Sequence, residues 1–304
     1  MAAIRNIRRI LKGKPTLEGA GVHLRRVFGQ SHVPMFDPFL MLDDFRSDRP
    51  DHYLKGFPWH PHRGIETITY MVRGHVEHGD SMGNRGVIGP GDVQWMTAGS
   101  GIIHQEMPKG DPEGAMGGFQ LWANLPRSHK MMAPRYRDVR EGTVPEAILG
   151  DGIRVRIICG TVGGQQGPVR DIVTDPEYLD VTVPAGREFL HPTRRDHTVL
   201  AYVIEGKGFF CPDRRPFSHE IEENRYFDME GDAAVGNGTL VRFDDGDAVS
   251  VATEEDAVRF LLVSGQPIGE PVAWYGPIVM NTQEELQVAF AEYRAGTFIK
   301  HAGT

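Results

Sequence analysis

The pentapeptide Tyr70-Met71-Val72-Arg73-Gly74 has a close counterpart in the second half of the chain, Tyr202-Val203-Ile204-Glu205-Gly206. Two further correspondences support a repeat: Phe119–Trp122 with Phe260–Val263, and the turn Gly91-Asp92 with Gly246-Asp247. Self-similarity of this kind is typical of a duplicated structural unit. The sequence therefore predicts two copies of one β-barrel unit, joined near residues 135–142.

Short apolar or alternating runs make up most of the chain and predict an all-β fold. Glycine (37) and proline (21) are too frequent for a helix bundle and are scattered rather than gathered in one tract. Runs of this kind between turn residues are typical of an antiparallel sandwich or barrel. The predicted strands are Thr67–Val72, Val93–Thr97, Gly118–Ala123, Ile153–Cys159, Tyr178–Val183, Thr198–Ile204 and Val258–Val263.

One helix is predicted close to the C-terminus. The run Thr282-Gln283-Glu284-Glu285 has the form of a capping box, in which the threonine hydroxyl and a glutamate carboxylate each satisfy a free backbone N–H group. Apolar residues then recur at helical spacing, and Gly296 is a plausible end. This pattern predicts a helix that docks one apolar face against a sheet.

Composition limits the classes of partner. The net charge of −8 argues against a nucleic-acid-binding or anionic-membrane surface, and no run of 18 apolar residues predicts a membrane span. The two cysteines, Cys159 and Cys211, exclude a disulfide framework and a cysteine zinc cluster. We therefore expect a cytoplasmic protein with reduced thiols.

Two doublets of polar residues point to a metal site. His60-Pro61-His62 and His104-Gln105-Glu106 each place two metal-ligating side chains two residues apart. Such residues lie on the same face of an extended strand, so both can reach one ion. A single doublet is more often a polar loop, but a second one favours a metal. Three imidazoles and a carboxylate suit a divalent transition ion.

The carboxylate ligand has two candidates. On an unbroken strand, Glu66 would lie on the same face as His60 and His62, because even spacings share a face. Glu106 would lie on the same face as His104 for the same reason. Parity alone therefore leaves both assignments open.

At this point the sequence resembles a known superfamily. The run from Gly56 to Gly74, which contains His60, His62 and Glu66, resembles the first cupin motif, and Gly89–Asp92 with His104 resembles a modified second motif. More narrowly, four segments resemble the pirins: Phe36–Phe45, His60–Gly64, Met96–Glu106 and Tyr275–Thr282. The resemblance covers nearly the whole chain. It implies two tandem cupin (jelly-roll-like) β-barrels with a C-terminal helix.

The resemblance to pirins also implies a ligand set. The ligands would be His60, His62, His104 and Glu106, around one ion in the N-terminal barrel; Fe²⁺ is the first choice, with Mn, Ni, Cu or Zn as alternatives. Glu66 would then be a structural acid or a partner of a ligand.

The second half of the chain lacks this pattern. When the two halves are aligned on the repeated pentapeptides, Pro192, Arg194 and Thr198 take the places of His60, His62 and Glu66. The segment that would correspond to His104 and Glu106 is shortened or missing. His191, His197 and His219 remain as surface or core residues. We therefore predict a metal-binding domain over residues 1–135 and a domain without metal ligands over residues 143–304.

Two functions follow from the resemblance. Quercetinases, which cleave flavonols with dioxygen and release carbon monoxide, resemble this sequence; the expected activity is a metal-dependent 2,3-dioxygenase acting on a small aromatic enol. Glu106 would accept the proton of the substrate hydroxyl. The alternative is an iron-binding regulatory protein that acts on a transcription factor or a metabolic enzyme through protein contacts, without direct nucleic-acid binding.

Overall fold

A computed structural model describes residues 2–215, 219–222 and 233–301 and divides the chain into two compact units. The histidine unit comprises Lys14–Glu141 with Ile268–Thr304, and the second unit comprises Met1–Gly13 with Gly142–Pro267. This division differs from the contiguous ranges 1–135 and 143–304 that the sequence predicts. Each terminal segment belongs to the unit formed by the opposite half of the chain.

The described residues form these strands in chain order: β1 (Ile7–Lys12), β2 (Lys14–Glu18), β3 (Val22–Phe28), β4 (Phe39–Asp44), β5 (Phe57–His62), β6 (Ile65–Arg73), β7 (His75–Asp80), β8 (Arg85–Ile88), β9 (Val93–Thr97), β10 (Ile102–Lys109), β11 (Gly117–Asn124), β12 (Arg135–Val139), β13 (Glu146–Ile148), β14 (Arg154–Cys159), β15 (Thr161–Val162), β16 (Gln165–Gln166), β17 (Glu177–Val183), β18 (Glu188–Pro192), β19 (Thr198–Gly208), β20 (Glu220–Glu222), β21 (Val235–Gly236), β22 (Thr239–Phe243), β23 (Ala248–Ala252), β24 (Val258–Gly265), β25 (Ala273–Tyr275) and β26 (Ile278–Met280). The helix α1 spans Gln283–Arg294, and 3₁₀ turns lie at Gln30–His32, Pro50–His52, Glu141–Thr143 and Gly150–Gly152.

The two units share one strand order, as the repeat predicts. The large sheet of the histidine unit runs β2-β3-β4-β11-β6-β9-β12, and that of the second unit runs β13-β14-β17-β24-β19-β22-β1, extended by β20 and with β21 beside β19. A smaller sheet accompanies each: β5-β10-β7-β8 in the first and β18-β23 in the second. The two-barrel β architecture with a C-terminal helix is therefore confirmed.

The strand β1 explains why the N-terminal segment belongs to the second unit. It occupies the sheet position that β12 holds in the histidine unit and pairs antiparallel with β22. Ile7 and Ile10 are buried in the apolar core of that unit. Arg5 is also buried there, and its guanidinium donates to the Thr193 hydroxyl at 2.8 Å.

The repeated pentapeptides occupy equivalent places, but one predicted correspondence is wrong. Gly246-Asp247 immediately precedes β23, which pairs with β18 as β10 pairs with β5. Its structural counterpart is therefore the turn at residues 98–101, before β10, and not Gly91-Asp92. The strand that corresponds to β10 is thus present in the second unit, shortened from eight residues to five.

The C-terminal helix has the predicted boundaries. The Thr282 hydroxyl accepts from the Glu285 N–H at 3.2 Å, and the Glu285 carboxylate accepts from the Thr282 N–H at 3.0 Å. Leu286 and Ala289 are buried against Ile278, Met280 and Phe298. In the described part of the chain, no helix combines the length and apolar character needed to cross a bilayer.

We expect Gly206→Ala to lower the unfolding temperature of the second unit. Gly206 has φ +68°, and an added Cβ would lie 1.9 Å from the Ala257 carbonyl oxygen. Left-handed strain alone costs about 1–3 kcal/mol. The matched control is Gly238→Ala, at φ +79° with no atom within 4 Å of the added Cβ. Calorimetry should show a larger decrease for Gly206→Ala; equal decreases would contradict the clash.

Candidate metal centre

The two predicted doublets lie on neighbouring antiparallel strands. His60 and His62 are on β5, and His104 and Glu106 are on β10, with His104 directly opposite His60. Burial alternates along β10, so that His104 and Glu106 point inward and Gln105 between them is more exposed. An irregularity in the pairing follows His104 and places Glu106 opposite Phe57. The strands thus bring all four predicted ligands into one region.

The three histidines form a compact cluster. Their nearest ligand atoms all lie within 4.8 Å of one another, and the Nε2 atoms of His60 and His62 are 3.0 Å apart. The ring of His104 lies 4.4 Å from that of His60 and 4.9 Å from that of His62. His62 and His104 are buried, whereas His60 is partly exposed.

Each histidine has an oxygen partner on its Nδ1 side. His60 Nδ1 lies 2.9 Å from the Pro58 carbonyl oxygen, and His62 Nδ1 lies 3.1 Å from the Pro277 carbonyl oxygen. A carbonyl can only accept, so these contacts assign the proton to Nδ1 and a lone pair to Nε2 of both rings. His104 Nδ1 lies 3.2 Å from the Tyr136 hydroxyl.

The surroundings favour uncharged imidazoles. Burial lowers the pKa of His62 well below its usual value, and neighbouring His60 lowers it further. Burial also lowers the pKa of His104, and protonation of the neighbouring His62, His60 or His78 ring would lower it further. Neutral imidazole is the form that binds metal ions.

This donor set fits a divalent transition ion. Two Nε2 lone pairs facing each other at 3.0 Å repel unless a cation or a proton lies between them. The buried Nε2 of His104 has no hydrogen-bond partner among the described residues, which is costly for a polar atom. The His60, His62 and His104 cluster could therefore hold a metal ion.

Glu106 borders this cluster. One carboxylate oxygen lies 4.0 Å from His104 Nε2. Thr69 donates to Oε1 at 3.3 Å, and the Gln120 amide donates to both oxygens at 3.2 and 3.3 Å. The Trp122 N–H donates to Gln120 Oε1 at 3.4 Å, which directs the Gln120 NH₂ group toward Glu106. These donors hold the Glu106 carboxyl group beside the histidines.

Glu66 has different surroundings. It is buried on β6, where its Oε1 accepts from the Thr97 hydroxyl at 2.6 Å and lies 3.9 Å from an Arg135 guanidinium nitrogen. Burial raises its pKa, and the hydrogen bond from Thr97 opposes that effect. Its carboxyl group thus has protein partners in Thr97 and Arg135.

A cleft of about 500 Å³ opens onto the cluster. Arg26 lies in its wall, where Asp43 accepts two of its hydrogen bonds (2.9 and 2.8 Å) and Glu18 accepts a third (2.7 Å), so its charge is compensated. The indole of Trp122 contacts the edge of the His62 ring at 5.1 Å between centroids. The lining residues are Glu18, Gly19, Arg26, Gly29, Gln30, Met41, Asp43, Phe57, Pro58, His60, His62, Glu106, Gln120, Trp122, Trp274, Gly276 and Pro277.

In the second unit, the equivalent face is mostly apolar. The inward residues of β18 and β23 are Phe189, His191, Val249 and Val251. His191 is buried and pairs with Glu177 at 2.8 Å. Among the described residues, no second group of three metal-ligating side chains converges there.

Several residues around the cluster were not predicted to lie at the metal site, although Pro277 falls within the pirin-like segment Tyr275–Thr282. Tyr136 follows the barrel in sequence but reaches His104 because β12 pairs with β9. Pro277 and Trp274 lie more than 200 residues from His62 and enter the site because Ile268–Thr304 belongs to the histidine unit. Gln120 could have been identified, since it lies two residues before Trp122 on a predicted strand.

Comparison with known proteins agrees with this geometry. Residues 21–123 match the Pirin family, and residues 178–299 match the Pirin C-terminal cupin domain. A pirin-like protein of Caulobacter vibrioides is 45% identical over 97% of this chain and 99% of its own length. A Pseudomonas aeruginosa protein, provisionally named a quercetin 2,3-dioxygenase, is 42% identical over 97% of this chain and 99% of its own.

A solved structure shares the fold. The crystal structure of quercetin 2,3-dioxygenase from Acinetobacter baumannii aligns with a TM-score of 0.81 at 29% identity, covering 97% of this chain and 99% of the other. Both halves of the sequence, the shared strand order and the histidine cluster lead to one conclusion: the chain belongs to the pirin family of two-cupin proteins.

Proposed function

We propose that this protein is a metal-dependent dioxygenase that opens a flavonol or a related aromatic enol with O₂. The observation that carries the proposal is the convergence of three histidine Nε2 atoms, with a carboxylate 4.0 Å from one of them, on an accessible cleft. His60, His62, His104 and Glu106 would hold the ion, with Fe²⁺ as the first choice. When bound, such an ion supplies Lewis acidity toward the substrate oxygen and redox activity toward dioxygen.

The role of Glu106 is that of a general base. The O–H bond of the substrate hydroxyl breaks, the proton moves to a Glu106 carboxylate oxygen, and the electron pair stays on the substrate oxygen. Thr69 and Gln120 hold the carboxylate toward the cleft through the hydrogen bonds described above. Glu66, whose carboxylate is bound by Thr97, would remain a structural acid.

The walls of the cleft suit a flat aromatic substrate. Trp122 and Trp274 lie 5.9 Å apart with their rings inclined by 36°, and both line the cleft. Indole faces bind aromatic rings by stacking. The cleft volume of about 500 Å³ lies within the range of small-molecule sites.

An oxygen-uptake assay tests the proposal. Protein loaded with Fe²⁺ should consume a flavonol and O₂ in equal amounts and release carbon monoxide, and chelation should abolish the reaction until the ion is restored. The control is metal-loaded protein with a flavonol whose 3-hydroxyl is methylated, which offers no proton to Glu106. A fully metallated protein that consumes no O₂ with any flavonol or related enol would overturn the dioxygenase assignment and favour a regulatory role.

A further inference from the structure

The orientation of His104 depends on a side chain, whereas that of the other two histidines depends on the backbone. His60 and His62 each direct Nδ1 at a carbonyl oxygen, of Pro58 and Pro277. A hydroxyl takes the same place for His104: the Tyr136 oxygen lies 3.2 Å from its Nδ1. A carbonyl can only accept, but a hydroxyl can accept or donate. The proton position on His104 is therefore decided by Tyr136.

The chemistry of the cluster selects one of the two arrangements. If Tyr136 donated, His104 would carry its proton on Nε2, the atom that faces the other histidines and that has no hydrogen-bond partner among the described residues. If Tyr136 accepts, Nε2 presents a lone pair like those of His60 and His62. Only the second arrangement gives three convergent lone pairs.

The fold holds the Tyr136 ring in place. Tyr136 lies on β12 opposite Met96 of β9, and its ring stacks on His78 at 5.7 Å with an interplanar angle of 9°. The His78 ring is itself buried on β7, which pairs with β10. Tyr136 is thus fixed by its own strand in the large sheet and by stacking on His78, which belongs to the small sheet that carries the histidines.

We infer that Tyr136 is a positioning residue, whose hydroxyl accepts the Nδ1 proton of His104 and so keeps Nε2 free for the metal ion. The expected effect on metal affinity rests on the proposed function. The position of the proton on His104 does not depend on catalysis. Hydrogen-bond partners of metal-bound histidines typically contribute 10- to 100-fold to affinity.

The test compares Tyr136→Phe with Tyr53→Phe. Tyr53 is a buried tyrosine of the same unit whose hydroxyl donates to the Gly114 carbonyl at 2.8 Å, so its replacement also removes one internal hydrogen bond. Titration with Co²⁺ should show a Kd about 10- to 100-fold higher for Tyr136→Phe than for the unaltered protein, and an unchanged Kd for Tyr53→Phe. The metal-free variants should have similar unfolding temperatures.

The ¹⁵N NMR spectrum of histidine-labelled, metal-free protein supplies the second readout. The unaltered protein should carry the His104 proton on Nδ1, and Tyr136→Phe should shift this tautomer toward Nε2–H, which a purely structural role would not do. An unchanged tautomer and a Co²⁺ affinity within twofold of the unaltered protein would overturn the inference. If the unaltered protein binds no Co²⁺, the proposed function fails, and the tautomer alone decides the role of Tyr136.

Discussion

His104→Ala should release the metal ion and abolish oxygen uptake. The side chain is buried on β10, and its Nε2 faces the rings of His60 and His62 and has no hydrogen-bond partner among the described residues. Loss of a direct ligand should exceed the 10- to 100-fold weakening that follows loss of a ligand's partner, so we expect the Kd to rise by more than about 100-fold. Elemental analysis after gel filtration should show about one ion per chain before the substitution and almost none after it.

His191→Ala is the matched control for this experiment. His191 is also a buried histidine on an inward strand face, but it belongs to the second unit and pairs with Glu177. Its replacement should leave the metal content at one equivalent. Stoichiometric metal in His104→Ala, or two tightly bound ions per unaltered chain, would contradict the assignment of a single site to the histidine unit.

The comparison of Glu106→Gln with Glu66→Gln should separate the two candidate carboxylates. Glu106 lines the cleft beside the histidines, so its replacement should weaken metal binding and slow turnover about 10²–10⁴-fold in the fraction that keeps its ion, because the base is lost. Glu66 is occupied by Thr97, and its amide replacement should keep the ion and most of the activity.

Both variants exchange a carboxylate for an amide of equal size at a buried position, so each is the control for the other. Metal content and turnover per bound ion are measured for both. A larger loss of metal from Glu66→Gln would move the ligand assignment to Glu66, which matches the general cupin motif.

The local patterns of this chain predicted seven of its strands, its one described α-helix and its cluster of histidines. Strand side chains alternate with a period of two, so His60-Pro61-His62 and His104-Gln105-Glu106 each place two candidate ligands on one face. The capping box at Thr282 fixed the start of α1, because its hydrogen bonds are made within four residues. The repeat of Tyr70–Gly74 at Tyr202–Gly206 predicted the duplicated barrel. The strand, doublet and capping patterns are short-range signals, and the repeat is found by comparing the two halves of the chain.

What the sequence left open depends on contacts between distant segments. Residue spacing along a strand did not distinguish Glu66 from Glu106 as the carboxylate ligand. Their surroundings differ because β6 and β10 place them beside different neighbours. The N-terminal segment belongs to the second unit because its strand β1 pairs with β22, and no local pattern predicts that pairing.

The sequence by itself thus determined the β class and the candidate ligands, which follow from residue spacing along single strands, and the repeat, which follows from similarity between the two halves. Only the tertiary structure decided which groups contact the candidate ligands: the Pro277 carbonyl lies beside His62 Nδ1 and the Tyr136 hydroxyl beside His104 Nδ1. The physical reason is that a hydrogen bond between residues 215 positions apart depends on how strands pair in space, and no local periodicity records that pairing.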